Sequence, residues 1–75
     1  MARDDELRRV EVGFTGGQAI TLRLTQKSYE SFRKDVQRGG WTDVESADDL
    51  VSINLDAVVF VRLDTGEHRV GFSGL

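Results

Sequence analysis

Seventy-five residues with 39% hydrophobic content bound one small domain, near the size at which a lone core is only marginally stable. The chain has no cysteine and no proline, which excludes disulfides and thiolate metal sites and leaves the turns to Gly, Asn and Asp. Its net charge of −3 is unevenly spread, a polarity that favours head-to-tail or partner contacts over generic polyanion binding. Residues 21–40 carry five basic side chains against two acidic ones, residues 41–75 two basic against seven acidic.

No apolar run approaches the about 20 residues of a membrane span, and no signal-peptide apolar region follows Met1. The expectation is a cytoplasmic protein with no membrane attachment. Arginine far outnumbers lysine, which fits a GC-rich bacterial genome.

Residues 1–7 are charged and lack apolar periodicity, so they read as a frayed arm ahead of a domain spanning 8–75. Arg8 and Arg9 lead into a strand in which Val10, Val12 and Phe14 alternate with Glu11 and Gly13. Thr15-Gly16-Gly17-Gln18 turns the chain, the glycines supplying positive φ. Ile20, Leu22 and Leu24 then alternate with Thr21 and Arg23 in the return strand. A phosphate-binding glycine loop needs a helix after it, and here a second strand follows. Gly16-Gly17-Gln18 has the letters of the peptide-release tripeptide of translation factors, but three residues carry almost no specificity.

Thr25 is placed to cap a helix over Gln26–Arg38, in which Tyr29, Phe32 and Val36 fall at i, i+3 and i+7 on one stripe. Gly39 supplies the positive-φ residue that ends it, and Arg33, Lys34 and Arg38 complement the carboxyl-end dipole. Lys27, Lys34 and Arg38 lie within about 40° of one another on the face opposite the stripe. With Arg8 and Arg9 they are the candidate contacts if the domain binds nucleic acid. An ordinary solvated helix face explains the three helical residues as well, and no aromatic side chains interleave them.

Trp41-Thr42-Asp43-Val44 reads as a short strand, with Trp41 either packed at the core edge or exposed as a partner anchor. Glu45-Ser46-Ala47-Asp48-Asp49 reads as an exposed acidic turn, without the spacing or glycine of an EF-hand loop.

The longest apolar, β-branched stretch is Leu50–Leu63. Asn54-Leu55-Asp56-Ala57 breaks it into Val51–Leu55 and Val58–Leu63, with Asn54 bonding its own backbone. Val58-Val59-Phe60-Val61 is apolar on both alternating faces, and one helix can cover only one of them. The other face must meet a folded-over part of the sheet or a second molecule. Val58 and Phe60, joined by Trp41, are therefore the candidate self-association residues. Asp64-Thr65-Gly66 then signals a hairpin into a last strand, Glu67–Phe72.

The whole order resembles that of short uncharacterised bacterial proteins of β-β-α-β-β type. That likeness rests on the hairpin, the Leu24-Thr25 approach to a helix closed by Gly39-Gly40, and Ile53-Asn54-Leu55 followed by Val58-Val59. Locally, Ser52–Val58 is similar to the Val-Asn-Leu-x-x-Ile stretch of LytTR-type DNA-binding domains, where basic and His-containing residues just before it contact DNA. Here those positions are Glu45, Ser46, Ala47, Asp48 and Asp49, which do not fit that contact.

One histidine, His68, offers neither a zinc set nor a triad, and the carboxylates fall in turns. No catalytic, cofactor-binding or metal-binding residue is expected, and neither enzymatic activity nor a cofactor. The expected architecture is α+β, a mostly antiparallel, strongly curled sheet in the order β-β-α-β-β-β with the helix across one face. The expected core is Val10, Val12, Phe14, Ile20, Leu22 and Leu24 from the first hairpin and Tyr29, Phe32 and Val36 from the helix. Ile53, Val59, Val61, Val70 and Phe72 complete it. The function expected is that of an interaction module forming a homodimer or binding another protein, with nucleic-acid binding as the alternative.

Overall fold

The computed structural model describes residues 6–65, one helix and five strands in an α+β fold. The strands are β1 (Arg8–Phe14), β2 (Ala19–Leu24), β3 (Trp41–Glu45), β4 (Leu50–Asn54) and β5 (Val58–Leu63). Helix α1 (Gln26–Arg38) lies between β2 and β3, and a 3₁₀ turn (Leu55–Ala57) joins β4 to β5. The element order is the one the sequence implies. Glu67–Phe72, with Val70 and Phe72 among the expected core and His68, lies outside the described residues.

The first hairpin forms because Gly16 and Gly17 take φ of 99° and 94°. Its register, Val10 opposite Leu22 and Val12 opposite Ile20, puts the alternating apolar residues of both strands on one face. The helix forms over the residues its caps select. The Thr25 hydroxyl accepts from the Ser28 amide at 3.1 Å. At the other end Gly39, at φ 84°, donates its amide to the Asp35 carbonyl at 3.0 Å. An alanine there would be strained by φ, and its Cβ would meet Asp56 Oδ1 at 2.7 Å.

Hydrogen bonding divides the strands between two antiparallel sheets, β2-β1-β5 and the ribbon β3-β4, where one curled sheet was expected. The chain turns away at the 3₁₀ segment, so β4 and β5 do not pair. One core fills the space between. Val10, Val12, Leu22 and Leu24 come from the three-stranded sheet, Phe32 from the helix, Val44 and Ile53 from the ribbon, and Leu55 from the 3₁₀ turn. Phe14, Ile20, Tyr29, Val36 and Val61 pack half-buried against it.

Val59 departs from expectation, for it is 63% exposed. The β1–β5 register runs Val12 to Val61 and Gly13 to Phe60, then jumps to Phe14 opposite Val58. This bulge leaves Val59 without a partner in the ladder and restores Val58 to the core side. Alternation alone would have sent Val58 outward and Val59 inward. Val44 and Leu55 take core places that the sequence reading did not assign.

Phe32, 2% exposed, is the helix residue fully buried in the core that both sheets share. Phe32→Ala should cost about 3–5 kcal/mol, comparable with the whole stability of a chain this size, on the order of 5 kcal/mol. The expected result is loss of cooperative urea unfolding followed by circular dichroism. A native-like transition would show that the core lies elsewhere.

Candidate functional site

The surfaces follow from which side of each strand the core occupies. On the outer face of the three-stranded sheet stand Arg9, Glu11, Gly13, Thr21, Arg23, Phe60 and Arg62, alternating with the core residues. Most are polar, as befits a solvated face. Phe60 lies across Gly13, where an added Cβ would collide with the ring. The Arg62 guanidinium stacks 5.5 Å from the Phe60 centroid and reaches Glu11 Oε1 at 3.3 Å. Phe60 is thereby reduced to 39% exposure by its own sheet.

The three sequence-derived association residues therefore part company. Val58 is half-buried against the core and faces inward, a correction to its placement on an outer surface. Phe60 faces outward as expected. Trp41 is 70% exposed, so the expectation that it packs at the core edge does not hold. Trp41 pairs with Asn54 at the end of the ribbon, where the Leu55 amide donates to the Gly40 carbonyl at 2.7 Å. Val59 follows the same 3₁₀ turn. The Asn54 side chain accepts from the Asp56 amide at 3.1 Å, so it is the turn-forming residue the sequence suggests.

The basic residues are not gathered into one surface. Lys27, Lys34 and Arg38 are exposed on the helix, which lies on the core side of the three-stranded sheet. Arg9 is on that sheet's opposite face, beside a groove of about 420 Å³ shared with Glu11, Thr21 and Arg62. Arg8, half-buried, sits opposite Leu24 in the β1–β2 register. Arg38 is bonded to Asp35 at 2.9 Å. Lys27 shares a second groove, about 220 Å³, with Asp35, Asp43 and Glu45. Acidic groups thus border the helix face along β3.

Sequence reasoning also missed Ser46, which belongs to the core boundary rather than to an exposed turn, at 9% exposure. Its hydroxyl oxygen accepts from the Arg23 amide at 3.0 Å, and the Ala47 amide donates to the Arg23 carbonyl at 3.0 Å. The Arg23 side chain meets Asp48 at 3.2 Å. Ser46, Ala47 and Asp48 together fasten the ribbon to the edge of β2 at Arg23. A serine among four acidic or small neighbours carries no sequence mark of such a role.

Among the described residues, no three His, Cys, Asp or Glu side chains converge to hold a metal ion. No described helix is long and apolar enough to cross a membrane. No protein-family model matches the chain, and neither a curated protein nor a solved structure matches it.

Ser46→Ala should cost about 1–2 kcal/mol, because the Arg23 amide loses its acceptor at a part-buried edge. The expected readout is a lower urea midpoint together with faster hydrogen exchange at the Arg23 amide. Unchanged exchange at Arg23 would count against the fastening role.

Proposed function

We infer that this protein is a non-enzymatic interaction module that associates with a second copy of itself through the apolar side chains its fold leaves in water. The observation that carries this reading is Trp41, 70% exposed at the start of β3, with Leu50 at 67% on the same ribbon face and Val59 at 63% in β5. Scattered surface apolar residues need no explanation. A tryptophan and a leucine exposed on one face of a two-stranded ribbon are a more particular arrangement. Burying Leu50 alone would contribute about 1.5–3 kcal/mol, and tryptophan is enriched among residues that dominate interface energies. A chain this short also gains stability by association.

Phe60 is a lesser contributor, since Gly13 and Arg62 already shelter part of its ring. Nucleic-acid binding has weaker support, with Arg38 held by Asp35 and Lys27 beside Asp43 and Glu45.

Sedimentation equilibrium at micromolar concentration should show particles heavier than one chain. Trp41→Ser should weaken association by about tenfold or more with the circular dichroism spectrum unchanged. A wild-type protein that stays a monomer, or an unaltered mass in the Trp41→Ser variant, would overturn the reading.

A further inference from the structure

We propose that the contact is head-to-tail, the outer face of the ribbon on one copy receiving the lysine-bearing face of helix α1 on the next. This rests on the self-association inferred above and names its two surfaces. Alternate residues of β3 and β4 share the ribbon's outer face, so Trp41, Asp43 and Glu45 stand beside Leu50 and Ser52. Trp41 and Leu50 are 70% and 67% exposed, and neither strand contains a basic residue. Such a face, an aromatic ring and an aliphatic side chain flanking two carboxylates, takes a cation on an apolar stem.

The same chain presents that counterpart. Lys27 and Lys34 are exposed on one side of α1 and make no ion pair among the described residues. Seven residues apart, they are separated by about 10 Å along the helix axis. Trp41 and Glu45 are about 13 Å apart along β3. One lysine therefore reaches the Trp41 ring, a cation–π contact, while the other reaches Glu45 or Asp43. The four-carbon stems of both lysines lie on the apolar parts of the face. Because the two patches differ, each copy offers one and receives the other, which builds a ring or an open chain. The charged part of the contact is screened by salt, with a Debye length of about 8 Å at physiological ionic strength.

A complementation experiment tests this by sedimentation velocity at low salt. One variant, Lys27→Glu with Lys34→Glu, removes the helix surface; the first change places an acid in the first helical turn, where the dipole favours it. The other, Asp43→Lys with Glu45→Lys, removes the ribbon surface. Circular dichroism first establishes that both fold. Wild type is expected to grow in mass with concentration and to shrink with added salt. Each variant alone is expected to be a monomer. Their mixture is expected to regain association, since the intact ribbon of the first meets the lysines of the second and the two reversed surfaces also carry opposite charge.

If either variant alone associates as wild type does, or the mixture stays monomeric while wild type associates, the head-to-tail contact is wrong and self-association stands through another surface. If wild type is itself a monomer at every concentration, self-association and this contact both fall.

Discussion

A two-stranded ribbon is at best marginally stable by itself in water, yet here β3-β4 must roof part of the only described core. Its attachment is therefore the constraint on which the rest depends. At one end Ser46 and Ala47 bond both backbone groups of Arg23, on the edge of β2. At the other end the Gly40 carbonyl accepts from Leu55, and the Gly40 amide donates to Asp56 Oδ1. Between these points Val44 and Ile53 are buried in the same core as Phe32, so fastening and burial support each other. The same bonds occupy the edge of β2 at Arg23, which would otherwise offer its amide and carbonyl to another chain.

The bulge in β5 decides what the surface looks like. A run apolar on both sides would present a continuous greasy face if the ladder stayed in register. Skipping Val59 turns Val58 inward beside Phe14 and leaves Phe60 over Gly13. Absence of a side chain at Gly13 makes room for the ring, and Arg62 lies on the ring's exposed side. Most of the apolar content of β5 is thus sheltered within the chain. Among the larger apolar side chains of the strands, those left in water are Val59, part of Phe60 and, on the ribbon, Trp41 and Leu50. The most exposed apolar side chains therefore lie on the ribbon and at the start of β5 instead of in the middle of the sheet face.

Charge follows the same division. The helix is basic on its outer side and the ribbon acidic on its own, as the uneven distribution along the chain implies. Folding sets these sides next to each other across a groove instead of separating them, with Lys27 on one wall and Asp43 and Glu45 on the other. A polyanion approaching the helix therefore also meets carboxylates. A cationic surface approaching the ribbon meets carboxylates and an open indole.

The sequence by itself determined every element whose signals are local. Thr25 and Gly39 bracket the helix because capping depends on a few adjacent residues, and the first hairpin follows from two glycines between alternating strands. The break at Asn54 was legible for the same reason, an amide side chain bonding two residues ahead. Only the tertiary structure decided which residues of β5 face the core, because a bulge is set by the partner strand and leaves no mark in the residues it expels. Tertiary structure likewise turned Trp41 outward and Ser46 inward, since each side chain's environment is made by segments distant in sequence. Side-chain periodicity states which residues share a face; the packing of distant elements determines which face is wet.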